Sequence, residues 1–236
     1  MQKAKQLYEG KAKKVFATQD ETLCIVSYKD DATAFNGEKR GTIVGKGIVN
    51  NRVTNHLMQM LENQGIPTHF VEELNERETL VKKVQIVPLE VIVRNIAAGS
   101  LSKRLGLPEG TPMKQTVLEY SYKNDELGDP MVNEYHIAAM EFATAEELKL
   151  IAAYSMQINT VLSSYLKDLH IELIDFKLEF GKTATGEIVL ADEISPDTCR
   201  FWDSETKQKL DKDRFRRDLG GVEDAYAEIL KRLLGE

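Results

Sequence analysis

Apolar side chains return every second residue in some stretches of this chain and every third or fourth in others, and the two rhythms mark out its elements. The first third reads mainly as strands. Residues 5–9 and 13–17 flank a turn at Gly10, and Leu23-Cys24-Ile25-Val26-Ser27-Tyr28 is a short β-rich run. Residues 30–41 are polar, contain Asn36-Gly37 and read as a loop. Val49, Val53, Leu57, Met60 and Leu61 then fall at helical spacing within residues 43–63, and Gly65 and Pro67 close that helix. Strands are expected over 68–74, 79–84 and 87–94, a short helix over 97–105 and a loop over 108–112. The longest helical pattern covers 145–169, with Leu148, Ile151, Ile158, Leu162 and Tyr165 on or near one face, and Thr144 and Glu147 are spaced as a capping box. Residues 171–180 and 187–192 read as strands joined by a turn containing Gly181 and Gly186, and a last helix over 222–234 starts after Gly220-Gly221. Strands and helices do not alternate regularly, so the pattern predicts an α+β fold rather than a parallel α/β sheet. We divide it at residue 85, into a smaller β-rich domain, 1–85, and a larger α+β domain, 86–236.

Composition narrows the function. At 236 residues the chain is one large domain or two small ones and can bury a core without disulfides. Lys and Arg total 31 against 38 Asp and Glu, a net charge of -7, which argues against a dedicated nucleic-acid binder. It leaves room for a phosphorylated small molecule, which needs only a local cluster of positive charge. Cys24 and Cys199 form no zinc or redox spacing, and two isolated thiols fit inert, packed side chains in a reducing cytoplasm. No apolar run approaches the roughly 18 residues of a membrane span, and the basic N-terminus lacks the apolar stretch of a secretory signal. A cytoplasmic protein without nucleic-acid or membrane partners is expected.

Four segments could carry chemistry. In Leu173-Ile174-Asp175-Phe176-Lys177-Leu178-Glu179-Phe180-Gly181, strand alternation sends Ile174, Phe176, Leu178 and Phe180 into a core and Asp175, Lys177 and Glu179 the other way. These three either form a solvated face or converge with Asp192-Glu193, at the end of the apolar run Ile188-Val189-Leu190-Ala191, on a hard cation such as magnesium. In a simple hairpin Phe180 would face Glu187, and Asp192 would lie across from Asp175 rather than Glu179. Tyr8-Glu9-Gly10-Lys11-Ala12-Lys13-Lys14 is either a hairpin with exposed lysines or a lid whose N–H groups and ammonium heads hold phosphates. Arg94 with Gly99-Ser100 could form an anion site, or Ser100 could merely cap a helix. The stretch after Asp192 turns at Ser195-Pro196-Asp197 and presents Arg200 beside the only Trp. Asp211-Lys212-Asp213-Arg214-Phe215-Arg216-Arg217 reads as a solvated helix start. Gly41-Thr42-Ile43-Val44-Gly45-Lys46-Gly47 imitates a Walker loop, but it has three residues between Gly41 and Gly45 instead of four and lacks the hydroxyl after the lysine. Without a resemblance, these parts reach only an ATP-dependent transfer enzyme, with a small-molecule kinase and a non-catalytic nucleotide binder as alternatives.

Together the segments resemble the phosphoribosylaminoimidazole-succinocarboxamide synthase (SAICAR synthetase) family over nearly the whole chain. The sharpest matches are Pro88-Leu89-Glu90-Val91-Ile92-Val93-Arg94 with Ala98-Gly99-Ser100, and Asp175-Phe176-Lys177-Leu178-Glu179-Phe180-Gly181. Glu9-Gly10-Lys11-Ala12-Lys13, Lys46-Gly47 with Asn50-Asn51, Asp129-Pro130-Met131 and Asp192-Glu193 with Ser195-Pro196-Asp197 also fit. The resemblance implies a kinase-like or ATP-grasp-like architecture with the nucleotide between two domains. It implies that ATP, 5-amino-1-(5-phosphoribosyl)imidazole-4-carboxylate and L-aspartate give the succinocarboxamide, ADP and phosphate. It further implies that Lys11, Ala12 and Lys13 meet ATP phosphates, with Lys82 and Val84 near the nucleotide. Glu179 and Asp192 would hold magnesium, and Arg94, Ser100 and Arg200 the ribotide phosphate. Asp175 and Lys177 would meet the imidazole substrate, Asp175 doubling as candidate base. Residues 31–46 and 214–217 are candidates for aspartate, and a homodimer is implied.

Overall fold

The computed structural model describes residues 1–35 and 37–235. In chain order the strands and helices are β1 (Gln6–Glu9), β2 (Lys13–Ala17), β3 (Leu23–Tyr28), β4 (Asp31–Ala34), β5 (Lys39–Thr42), α1 (Lys46–Asn63), β6 (Phe70–Asn75), β7 (Glu78–Lys82), β8 (Gln85–Ile86), β9 (Leu89–Ile96), α2 (Gly99–Leu105), β10 (Pro112–Tyr122) and β11 (Met131–Val132). They continue with α3 (Glu134–Ala139), α4 (Ala145–Asp168), β12 (Ile171–Lys182), β13 (Ile188–Ala191), β14 (Cys199–Asp203), α5 (Asp213–Arg216) and α6 (Val222–Leu234). One sheet has the order β1-β2-β3-β7-β6; a second runs β11-β10-β9-β12-β13, with β14 and β8 also paired to β12; β4 and β5 form a separate hairpin. Every pairing between these strands is antiparallel, as an α+β fold requires.

The main core lies between the second sheet and the helices. Leu148, Ile151, Ile158, Leu162 and Leu166 of α4 are buried there with Val91 and Val93 of β9 and Phe176, Leu178 and Phe180 of β12. Helix α4 begins with the expected capping box: the Glu147 N–H donates to Thr144 Oγ1 at 3.2 Å, and the Thr144 N–H donates to Glu147 Oε2 at 2.9 Å. Helix α1 joins the same core through Val53, Leu57 and Leu61 and packs against α6. It starts at Lys46 rather than at residue 43, because Gly45 takes a left-handed conformation (φ 82°) that bends the chain into the helix. That N-terminus has no local side-chain cap. Asp30, far back in sequence, accepts from the Gly47 N–H at 2.8 Å and the Gly45 N–H at 3.2 Å.

Several elements differ from the sequence reading. Asp31–Ala34 and Lys39–Thr42 pair as the β4–β5 hairpin where a loop is expected; Asn36, half of the Asn-Gly turn signal, lies outside the described residues. The sequence pattern does not predict strand β10, because most of its positions are half-buried and show no clean alternation. A bulge in the β12–β14 pairing between Leu173 and Asp175 puts Leu173, not Ile174, in the main core; Ile174 packs instead with Ile96, Ala98 and Trp202. Gly181 lies within β12, so the turn to β13 is made by the residues that follow. Strand β13 ends at Ala191, and Asp192 follows it with a positive φ of 58°.

Candidate active site

Strand β12 is the spine of the site, and its register lines up the first cluster. Asp175 lies opposite Arg94 of β9 on one side and Arg200 of β14 on the other. Arg94 Nη1 donates to Asp175 Oδ2 at 2.9 Å, and Arg200 Nη1 donates to both Asp175 oxygens at 3.0 Å. Arg94 is almost fully buried, so its remaining donors need partners. Nε donates to Glu119 Oε2 at 2.6 Å and Nη2 to Ser100 Oγ at 3.0 Å. Ser100 therefore serves the arginine rather than capping α2, whose N-cap is Ala98. Gly99, at φ 53°, lets the Arg200 guanidinium approach so closely that a Cβ would collide with it.

Farther along β12 the charges alternate. Lys177 Nζ bonds Glu179 Oε1 at 2.5 Å and Glu90 Oε1 at 3.1 Å, and lies 3.9 Å from Asp192 Oδ2. Lys123 reaches Glu179 Oε1 at 3.0 Å. From the other sheet, Lys13 reaches Asp192 Oδ1 at 2.6 Å and Glu193 Oε1 at 2.9 Å, so this ion pair ties the two sheets together. Burial alone would raise Asp192, but Lys13 and Lys177 hold it below the usual carboxylate range. Burial would likewise lower Lys177, and Glu179, Asp192 and Glu90 push it well above its ordinary value. Glu179 and Asp192 are thus hard oxygen donors set to face a positive centre, here the Lys177 ammonium. Among the described residues no group of three or more His, Cys, Asp and Glu forms a self-sufficient metal cage. This donor set fits a hard cation that brings water and phosphate oxygens to complete its shell.

Beside these clusters is a cavity of ≈ 350 Å³. Arg94, Ser100, Asp175, Lys177 and Arg200 open into it, with Lys11 at its edge and the Thr33-Ala34-Phe35 tip of the β4–β5 hairpin as a wall. Its cations are Lys11, Arg94, Lys177, Arg200, Lys212 and Arg216; its carboxylates are Glu90, Asp175 and Asp197. The surplus of positive charge suits substrates that carry several negative groups. A second cavity, of ≈ 530 Å³, lies under the β1–β2 turn and shares Lys11, Thr33 and Gly37 with the first.

Comparison with known proteins places this geometry. A family model described as SAICAR synthetase matches residues 6–233. The chain belongs to the SAICAR synthetase family. It is 63% identical over 235 residues to a phosphoribosylaminoimidazole-succinocarboxamide synthase of Thermoanaerobacter sp. (strain X514), covering 100% of each chain. The crystal structure of the synthase from Ehrlichia chaffeensis superposes with a TM-score of 0.95 at 49% identity, covering 97% of this chain and 98% of that one. A Type-2 SAICAR synthetase in complex with ADP superposes with a TM-score of 0.94 at 49% identity, covering 97% of both.

Of the residues singled out from sequence, Lys11, Arg94, Ser100, Asp175, Lys177 and Arg200 meet at one cavity. Lys13, Glu179 and Asp192 join them through the ion pairs on β12 and β13. Ala12 ends the β1–β2 turn and Lys13 opens β2; the Ala12 carbonyl accepts the Lys29 N–H and Lys13 O accepts the Gly10 N–H. Lys82 and Val84 do not line either cavity. Lys82 Nζ donates to Thr68 O at 2.9 Å, and Val84 leans on Gly181, where a Cβ would strike it. Sequence reasoning missed Lys123 and gave Glu90 no role. Lys123 follows the unanticipated β10, and Glu90 shares the alternation of β9 with Arg94, a signal that could have found it. The charged run at residues 211–217 is no solvated helix start: Asp211 and Asp213 are 0% and 1% exposed. Cys24 and Cys199 are free and buried, and burial pushes both thiols up, away from the reactive thiolate. Among the described residues no helix is long and apolar enough to cross a membrane.

Proposed function

We propose that this chain joins L-aspartate to the carboxylate of 5-amino-1-(5-phosphoribosyl)imidazole-4-carboxylate at the expense of ATP, giving the succinocarboxamide of purine biosynthesis, ADP and phosphate. The observation that carries this reading is the row Arg94–Asp175–Arg200 with Ser100, which opens into the same cavity as Lys177 and whose Asp175 lies on the same strand as Glu179. It supports a phosphate-bearing substrate held beside a phosphoryl-transfer centre. The two sheets act as the two domains, 1–85 and 86–236, with the nucleotide between them. Lys11, Ala12 and Lys13 meet its phosphates, and Lys82 and Val84 lie on the connection at its side. Glu179 and Asp192 would hold magnesium, which would offset charge on the transferring phosphoryl group. The relative described with ADP supports the nucleotide assignment.

A carboxylate is a poor electrophile, because an attacking amine would have to expel an oxide. Phosphorylating one carboxylate oxygen with the γ-phosphoryl group supplies a phosphate leaving group. Lys11, Lys13 and Lys177 stabilise the charge as it moves. The neutral amine of aspartate then attacks the acyl carbon, the C–N bond forms, and phosphate departs with the carboxylate oxygen. The amine must lose a proton, and Asp175 is assigned to accept it. In this structure its oxygens accept from Arg94 and Arg200. A homodimer and a cytoplasmic setting belong to this proposal and are tested by sedimentation and fractionation. The chemical test labels the ribotide carboxylate with ¹⁸O and follows ADP release with aspartate or ribotide omitted in turn. One label is expected in each released phosphate. Unlabelled phosphate would exclude the acyl phosphate, and a stable phosphorylated ribotide without aspartate would indicate a kinase.

A further inference from the structure

Behind the cavity, one buried carboxylate is shared by two of its guanidinium groups. Asp213 opens the short helix α5, and its oxygens are divided between them. Oδ2 accepts from Arg200 Nε at 2.9 Å, and Oδ1 accepts from Arg216 Nη1 at 2.7 Å. The backbone around it is fixed by a second buried carboxylate. Asp211 accepts the Asp213 N–H at 2.7 Å and the Phe201 N–H at 2.9 Å, clamping the start of α5 to β14 next to Arg200. Burial and the neighbouring Asp213 push Asp211 up to about 7, whereas Arg200 and Arg216 hold Asp213 below the usual carboxylate range despite its burial. Both arginines line the cavity and neither of these aspartates does.

We propose that Asp213 is a positioning residue for the reaction: it sets Arg200 and Arg216 at a fixed spacing, so that Arg200 meets the ribotide phosphate and Arg216 a second anionic group of the bound substrates. The inference rests on the reading of the cavity given above. A free arginine side chain samples many rotamers, and fixing two of them before substrate arrives removes an ordering penalty from binding. The Asp213 charge itself opposes anion binding, so its two effects on affinity have opposite signs. Orientation favours the phosphate and electrostatics disfavours it. Two substitutions separate them. Asp213→Asn removes the charge and keeps the shape. Asp213→Glu keeps the charge and moves the carboxylate by one methylene.

Initial rates of the full-length chain, with each substrate varied in turn, provide the test. Positioning predicts that both variants raise KM for the ribotide about tenfold, while KM for ATP changes less than about twofold, following the loss of a charge-assisted hydrogen bond to one substrate's partner. In a background carrying both Arg200→Lys and Arg216→Lys, Asp213→Asn should add less than about a twofold further change, because both residues through which it acts are already altered. A lower ribotide KM in Asp213→Asn with no change in Asp213→Glu would overturn the proposal in favour of simple charge. A lowered melting temperature with all KM values moving together would overturn it in favour of a structural role. Should Asp213→Asn fail to fold, the Asp213→Glu result alone decides between position and charge. If the unsubstituted chain forms no succinocarboxamide, the proposed reaction fails instead. The same variants are then scored by calorimetric binding of ribose 5-phosphate, where a tenfold loss supports positioning and unchanged binding overturns it.

Discussion

Replacing Asp30 with Asn should unhook helix α1 from the first sheet, and the structure gives the size of the effect. The Asp30 carboxylate, between β3 and β4, takes Arg77 Nη1 on Oδ1 at 2.8 Å and Nη2 on Oδ2 at 3.0 Å, besides the Gly45 and Gly47 N–H groups. Burial pushes this carboxyl up, but Arg77 and the two helix-start N–H groups win and bring it from 3.8 down to about 2. Its side chain is 23% exposed and that of Arg77 37%, so solvent screening removes part of the effect. The difference corresponds to about 2 kcal/mol of stability at neutral pH. For a chain of this size that is a fall in Tm of about 4–8 °C. The sign with pH follows from a depressed carboxylate. The contribution is present in full above the unfolded value near 3.8 and is lost as pH falls through about 2. At pH 3 only about half of it should remain. Urea unfolding of both proteins at pH 7, 5 and 3 measures this directly. A gap that stays the same at all three pH values, or one below about 0.5 kcal/mol at pH 7, would refute the argument, because neither fits a charged carboxylate gripped by Arg77 and the helix start.

Glu179→Gln and Asp192→Asn should each lower kcat about a hundredfold or more in an ADP-release assay run well below their melting temperatures, since each deletes a charge from the proposed magnesium site; each also takes a partner from a partly buried lysine and should lower the melting temperature, and near-normal turnover would remove those residues from the metal assignment. Arg94→Lys should raise KM for the ribotide far more than KM for ATP, because an ammonium cannot serve Glu119, Asp175 and Ser100 at once; equal changes for both substrates would make Arg94 structural. Asp211 keeps its proton in the folded chain up to about pH 7, whereas the unfolded chain sheds it near pH 4, so its contribution to stability falls as pH rises across that window. Asp211→Asn should flatten that slope in urea midpoints taken from pH 5 to 8, and an unchanged slope would show that another group carries it.

Local pattern was enough for much of this molecule. Helix α6 has the bounds its periodicity predicts, and α4 ends within one residue of them, because a buried stripe at helical spacing and its caps lie close together along the chain. The motifs around Arg94, Asp175 and Arg200 were legible one at a time. That they form a single row could not be read, because it depends on the registers of β9, β12 and β14, which are partners from distant parts of the sequence. The β12–β13 register shows the same limit. A simple hairpin would set Asp192 across from Asp175, whereas the folded chain pairs Glu179 with Ala191 and so brings Asp192 to the Glu179 end. Two glycines flank that turn, and nothing local says that one of them stays in the strand. The strands of the β4–β5 hairpin carry only small apolar residues, Ala32 and Ala34, among polar ones and so read as loop; Lys39, bonded to Phe215 O at 2.7 Å and Asp218 at 2.5 Å, docks the hairpin against α5. Lys46 is the sharpest case. Helical spacing allows a lysine to face solvent, yet it is 0% exposed, with its ammonium 3.0 Å from Asp197. Periodicity reports which neighbours along the chain share a face; whether a charge on that face is buried depends on a partner that only the fold brings near.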